Sequence, residues 1–304
     1  MKEQEKYREE MHAKVNYMEQ FINLDSFVSG EKNSLDEIRS YYRINEWAYK
    51  RFHSKDGFMH FRISQGGCLS DGDVYHHPNS ISKFIKPGDR VVELGFGHGA
   101  NLLYLAGRHP DAQFYGVDLS PLKSKDVPGN VITIQHDYSD LSQFDDSSVD
   151  VMYAIETIVH NADKERIYRE VCRILKPGGI MVVYDYALSN TYATFPPVSQ
   201  KAIALISKGC ASAMIESLDE LNACYARSGL SLTERHDYSE NTLPDLKRLE
   251  RKAWKVLGHP WLSRLLFWVM PKQFVSNIIV GYLGHDSCAS GTITYQEWVL
   301  RKEG

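Results

Sequence analysis

The chain has 304 residues, a net charge of −4, and ordinary proportions of hydrophobic (43%) and charged (24%) residues. That suits one large α/β domain or a domain with appended helices, and the lack of a basic excess argues against a nucleic-acid partner. Five scattered cysteines (Cys68, Cys172, Cys210, Cys224, Cys288), with no C-x-x-C pair, read as reduced thiols of a cytosolic protein rather than a disulfide framework.

Met1 to Gln20 is charged along its length and lacks the apolar core of a signal peptide. Residues 1–80 read as an N-terminal helical cap. Within it, Ser34-Leu35-Asp36-Glu37 has capping-box spacing and predicts a helix through Ile38, Tyr41 and Tyr42. Residues 81–304 then alternate: strand 89–94, helix 100–108, strand 113–118, strand 130–136, strand 149–155, helix 163–175, strand 179–186. Lys176-Pro177-Gly178-Gly179 reads as the stop of the last helix. A helix over 217–228 ending at Gly229, a strand over 230–236 and a final strand over 291–301 follow.

Two apolar insertions, about 187–215 and 240–285, show helical spacing (Leu246, Leu249, Trp254, Leu257; Leu265, Trp268, Val269). The greasiest run, Trp261 to Met270, carries Arg264 and stops at Pro271. It is about half the ~20 residues of a spanning helix, so no transmembrane segment is expected there. A lid over a substrate cavity is the favoured reading and a membrane-surface contact the alternative. The alternation predicts a Rossmann-like α/β fold: seven strands, mostly parallel, helices on both faces, the N-terminal cap and the helical insertions, in a cytoplasmic protein.

The chemistry concentrates in Val91-Val92-Glu93-Leu94-Gly95-Phe96-Gly97-His98-Gly99-Ala100-Asn101 and in Gly116-Val117-Asp118-Leu119-Ser120. A β-branched run enters a glycine-rich turn where backbone can approach a ligand, and an acid ends the next strand, able to accept from a ribose diol. The turn reads G-x-G-x-G after a Glu, not the G-x-G-x-x-G that cradles a pyrophosphate. It resembles the first motif of S-adenosylmethionine (SAM) dependent methyltransferases of the Rossmann-like class. That resemblance implies SAM as cofactor, bound by Glu93, Gly95, Gly97, Gly99, Asn101, Asp118, Leu119 and Ala154. Asp137 and Tyr138 follow the third strand, where relatives place an acid against the adenine amine.

Asp150-Val151-Met152-Tyr153-Ala154-Ile155-Glu156-Thr157-Ile158-Val159-His160 and the segment Tyr168 to Gly179 resemble the sterol C-methyltransferase group, including its prenyl-substrate relatives. The paired Tyr41-Tyr42 and an aromatic segment (Trp47, Tyr49, Phe52, Phe58, Phe61) extend the likeness over about 36–186, and the final strand shares it. The likeness is weak across both insertions. It implies methyl transfer to an alkene carbon through a carbocation, with Glu156 as cation stabiliser or base, His160 as proton relay and Tyr42 beside them. Tyr41, Trp47, Arg51 and Tyr153 are the candidate acceptor contacts. Blander readings stand beside these: Glu156 as a solvated strand end or helix cap, His160 bound to backbone, the aromatic cluster as core.

Around that segment the chain is basic (Arg43, Lys50, Arg51, His53, Lys55, Arg62), where sterol-directed relatives are more acidic and aromatic. Such a cluster suits a diphosphate, with Mg2+ shared by carboxylates as an option, and shifts the expected acceptor toward a prenyl diphosphate; a solvated helix face is the alternative. The alternative function is O-, N- or sterol methylation of another small lipophilic metabolite. A nicotinamide dehydrogenase is disfavoured by the glycine spacing, and a SAM-binding module without catalysis stays open, as does a homo-oligomer. His76-His77 lacks the partner spacing of a metal site.

Overall fold

The structure is a computed structural model that describes residues 2–28, 44, 57–212 and 215–304. Seven strands form one sheet: β1 (Arg90–Leu94), β2 (Gln113–Asp118), β3 (Val131–Gln135), β4 (Val149–Ile155), β5 (Leu175–Leu188), β6 (Leu230–Asp237) and β7 (Ile293–Lys302). Their order is β3-β2-β1-β4-β5-β7-β6; the pairs from β3 through β5 are parallel, and β7 runs antiparallel to both β5 and β6. The helices are α1 (Lys2–Glu19), α2 (Asp25–Val28), α3 (His76–Ile81), α4 (Ala100–Arg108), α5 (Lys164–Ile174), α6 (Pro197–Gly209), α7 (Leu218–Arg227), α8 (Ser239–Leu257), α9 (Pro260–Val269) and α10 (Lys272–Ala289).

The strand sequences are near-continuous apolar runs because both sheet faces are covered. Alternation divides them. Val92, Leu94, Met152, Ala154, Met181 and Val183 pack with Ile167, Tyr168, Val171, Leu221, Tyr225 and Trp298, under α5 and α7. Val91, Val151, Tyr153, Val182 and Tyr184 pack with Ile81, Leu102, Leu105 and Ala106, under α3 and α4. The two insertions are helical, as their spacing predicts. Together α1, α6, α8 and α10 build a third apolar cluster around Met11, Val15, Met18, Ala202, Ile203, Ile206, Leu257, Ile279 and Leu283.

Local signals fix several boundaries. Asp163 caps α5 by accepting the Arg166 N–H (3.1 Å). Ser217 and Glu220 form a reciprocal capping box on α7, which ends before Gly229 at φ +81°. One boundary differs from expectation. Helix α5 ends at Ile174, and Lys176-Pro177-Gly178-Gly179 belongs to β5, as a bulge between the pairs Val149↔Leu175 and Val151↔Ile180. A Cβ at Gly179 would lie 2.8 Å from the Lys176 carbonyl, so the bulge needs glycine there. Lys176 clamps it with Nζ 2.7 Å from Asp150 Oδ1. The capping box at Ser34 and the paired tyrosines lie outside the described residues.

Candidate active site

The sheet order reverses direction of growth at β1 and β4, and the crevice at their carboxyl ends is where open α/β sheets bind ligands. The loop leaving β1 places Gly95, Gly97 and Gly99 at φ +71°, +54° and +82°. A Cβ at Gly95 would come within 2.3 Å of Thr157 Cγ2, and one at Gly99 within 2.4 Å of Leu122 Cδ1. The loop is thus closely packed and left-handed at three points, which only glycine accepts without strain.

Asp118 at the end of β2 holds this loop. Its Oδ2 accepts the Gly97 N–H (2.9 Å) and its Oδ1 the Ser120 N–H (2.8 Å). Burial pushes the Asp118 carboxyl upward, and the N–H bonds counter it. Its oxygens keep further lone pairs for hydroxyl donors. Glu93 lies deeper, 2% exposed, accepting from the Tyr153 hydroxyl (3.0 Å) and from the Leu102 N–H in the first turn of α4. Burial raises its pKa to about 8. A carboxyl satisfying an N-terminal N–H of α4 makes it a support beneath the loop.

Glu156 directly follows β4 at φ +50°, a left-handed conformation uncommon for a non-glycine residue. Its Oε1 accepts from the Phe61 N–H (2.8 Å) and the Tyr295 hydroxyl (2.9 Å), and its Oε2 from the Tyr186 hydroxyl (2.7 Å). Burial nevertheless raises its pKa to about 7. Tyr186 and Tyr295 are cross-strand partners on β5 and β7, with ring centroids 5.4 Å apart, and Phe61 meets them at 5.9 and 6.4 Å. A carboxyl poised near neutrality therefore stands against three aromatic rings. Behind it, fully buried His77 lies 2.9 Å from the Tyr295 hydroxyl.

The segment 57–61 crosses above the glycine loop. A Cβ at Gly97 would lie 3.0 Å from Met59 Sδ, and His60 Nε2 lies 3.2 Å from Asn101 Oδ1. His160 is buried with Nδ1 3.2 Å from the Ala211 carbonyl, and its ring also bonds the Glu156 backbone. Burial lowers its pKa to about 4. Tyr138 is buried and donates to the Thr157 carbonyl (2.9 Å), tying the loop after β3 to that after β4, while Asp137 accepts the Ser139 N–H (2.8 Å).

The structure thus brings Glu93, the three glycines, Asn101, Asp118, Leu119, Ala154 and Glu156 together at the ends of β1, β2 and β4. Tyr153 corrects an expectation. It is fully buried with its hydroxyl on Glu93, and a phenol with no exposed surface lines no acceptor pocket. Tyr41, Tyr42, Trp47 and Arg51 lie outside the described residues; of the basic cluster, Arg62 is described and faces Asp71 at 3.9 Å. Tyr186 and Tyr295 carry no motif that marks them as site residues, and His77 enters the sequence reading only as a metal ligand that its spacing rejects. The available signal was the alternation Tyr184, Tyr186 at the end of a strand next to the Glu156 strand.

Residues 92–183 match a family described as a methyltransferase domain. The sterol 24-C-methyltransferase of Schizosaccharomyces pombe is 28% identical over 226 residues, 69% of this chain and 57% of that protein. Residues 92–183 therefore form a methyltransferase domain, and the chain is similar in sequence to sterol C-methyltransferases. Two solved structures share the methyltransferase fold. A Mycobacterium tuberculosis cyclopropane synthase has a TM-score of 0.71 at 14% identity, covering 90% of this chain and 100% of its own. Geranyl diphosphate C-methyltransferase from Streptomyces coelicolor, in complex with Mg2+, geranyl diphosphate and S-adenosyl-L-homocysteine, has a TM-score of 0.62 at 17% identity, with 90% and 100% coverage. The chain spans a little over half the length of the Schizosaccharomyces pombe relative.

The glycine cradle and the carboxylate at the end of β2 fit SAM, a ligand without phosphate. Mg2+ is different. Among the described residues, the grouping able to hold an ion is Glu250, His285 and Asp286, and Lys14 Nζ sits 2.8 Å from both Glu250 Oε1 and Asp286 Oδ2. An ammonium already fills it, so these residues do not fit a metal ion.

Proposed function

We propose that this chain is a SAM-dependent C-methyltransferase acting on an alkene carbon of an isoprenoid, a prenyl diphosphate before a sterol. The observation that carries the reading is Glu156, held half-buried among Tyr186, Tyr295 and Phe61 with a pKa near neutrality. Gly95 to Gly99, Asp118 and Leu119 bind the cofactor, with Glu93 and Asn101 bracing the loop and Asp137 and Tyr138 at the adenine side. When bound, SAM supplies an electrophilic methyl carbon with a neutral thioether as leaving group.

The remaining work falls to the chain's own residues. Aromatic faces of Tyr186, Tyr295 and Phe61 stabilise the cation left on the acceptor after its π electrons bond the methyl carbon. The Glu156 carboxylate then takes a proton from a carbon next to the cation, and the C–H pair restores a double bond. A base with a pKa of about 7 is half-ionised at neutral pH, which is where a general base works best. His160, neutral, lies between the Ala211 and Glu156 carbonyls, donates its one N–H to one of them and positions the Glu156 turn. Tyr41, Tyr42, Trp47 and Arg51 remain the acceptor contacts in this proposal, Arg51 as the partner of a diphosphate, with the helical insertions as cover.

The test is labelled SAM with prenyl diphosphates of rising length and with free sterols, each with and without EDTA. Label in a prenyl diphosphate product, lost in Glu156→Gln, is the expected result. Label in sterols but no prenyl diphosphate overturns the acceptor class. Only a mild loss in Glu156→Gln would mean a heteroatom acceptor that needs no cation.

A further inference from the structure

Helix α9 leaves a row of large apolar side chains in water: Trp261 (70% exposed), Leu265 (51%), Trp268 (83%) and Val269 (57%). Their spacing of four, seven and eight residues puts them on one helix face. The opposite face is spent on the protein: Ser263 is buried and donates to the Val256 carbonyl (2.9 Å), and Phe267 packs on the helical layer. Trp254, on α8, is 47% exposed. A contiguous apolar row of this size marks a contact surface rather than scattered surface leucines.

Among the described residues around it, cations predominate. From Arg251 through His285 the sequence contains no Asp or Glu, yet it carries Arg251, Lys252, Lys255, Arg264 and Lys272, in a chain whose net charge is −4. Arg264 and Lys272 flank the row, beside the carbonyls of Gln20 (3.3 Å) and Ser26 (3.4 Å). The nearby Asp25 carboxylate is paired with Lys201 at 2.7 Å. A second copy of this chain docked through the same face would set cations against cations. An anionic lipid surface complements both features: tryptophans suit the boundary between headgroups and acyl chains, and the cations suit lipid phosphates. Ten residues give α9 roughly 15 Å, too short to cross a bilayer but suited to lying in its surface.

We propose that α9 is an interfacial helix that docks this protein on an anionic lipid surface, inserting Trp261, Leu265, Trp268 and Val269. The docking stands independently of which acceptor is methylated.

The experiment is flotation of the full chain with vesicles of phosphatidylcholine, with and without phosphatidylglycerol, together with tryptophan emission. The expected result is binding to the anionic vesicles that weakens with salt, with emission shifted to the blue. The double variant Trp261→Ala/Trp268→Ala lowers the partition coefficient about tenfold or more, and Arg264→Gln/Lys272→Gln removes the preference for anionic lipid. All four side chains lie on the surface, and circular dichroism with a titration of adenosylhomocysteine checks that the variants stay folded. No vesicle binding by the native chain, or binding unchanged in the tryptophan variant, overturns the proposal. So does a dimer in sedimentation velocity that the tryptophan variant dissolves while vesicle binding is absent, because a second copy would then cover the face.

Discussion

Tyr295→Phe removes one hydroxyl donor from Glu156 and leaves the ring in place. A hydrogen bond to a charged group is worth about 1.5–3 kcal/mol, and here it favours the ionised carboxylate. Its loss should raise the Glu156 pKa, already pushed up to about 7 by burial, by roughly one to two units. At pH 7 the ionised fraction then falls from roughly one half to between a tenth and a hundredth, so proton removal, and with it product formation, slows roughly five- to fifty-fold. The loss should be recovered as pH rises past 9, because the base is intact and only its titration has moved. Single-turnover rates across pH test this, with carbon-13 labelled glutamate in infrared difference spectra reporting the protonation of Glu156 directly. Tyr186→Phe should act in the same direction, since its hydroxyl bonds the other oxygen. If the acid limb of the profile and the carboxyl band stay put in Tyr295→Phe while adenosylhomocysteine binding is unchanged, Glu156 is not the titrating base.

Gly95→Ala should weaken adenosylhomocysteine binding and lower Tm, since the new methyl meets Thr157 at 2.3 Å in a left-handed turn; calorimetry and a melting curve read both. Asp118→Ala should cost roughly ten- to a hundred-fold in cofactor affinity, as two charge-assisted N–H bonds and the ribose acceptor go together, and isothermal titration measures it. Glu93 holds its proton up to about pH 8 when folded but gives it up near 4.5 when unfolded. The native state then binds more protons, so this group's contribution is full below pH 4.5 and fades as pH rises toward 8. Glu93→Gln should therefore gain stability over the native chain as pH climbs through that window, and parallel denaturation curves at pH 5 and pH 8 decide it. Lys14→Met leaves Glu250 to Lys247 (2.6 Å) and Asp286 to His285 (2.7 Å), so losing its two charge-assisted contacts should cost about 1.5–3 kcal/mol in urea unfolding.

The scaffold was legible because its signals are local. The β-branched run before Gly95, the acid ending β2, and the helix closing at Gly229 are decided within a few neighbours, and each boundary falls within about two residues of its expected place. The Lys176-Pro177-Gly178-Gly179 stretch shows where that logic stops. Pro and Gly say that the helix cannot continue, but whether the chain then turns or bulges depends on Val149 and Asp150 on another strand. The site divides along the same line. Gly95, Asp118 and Glu156 could be found because each sits beside its own motif. Their partners could not: Tyr295 lies 139 residues from Glu156, and His77 lies 218 from Tyr295.

That distance has a chemical consequence. The tuning of Glu156 is assembled from the strap at Phe61, from Tyr186 on β5 and from Tyr295 on β7, so its pKa is a property of the folded sheet. Tyr153 makes the converse point. Its place in the Tyr-Ala-Ile-Glu run suggested an acceptor contact, yet strand alternation turns it inward, onto Glu93 and away from the carboxyl three residues later. Three residues along a strand reverse the face, and the positive φ at Glu156 then swings the chain out of the strand altogether. A motif can name the acid. Only the register of β5 against β7 supplies the hydroxyls that would keep it half-ionised at neutral pH.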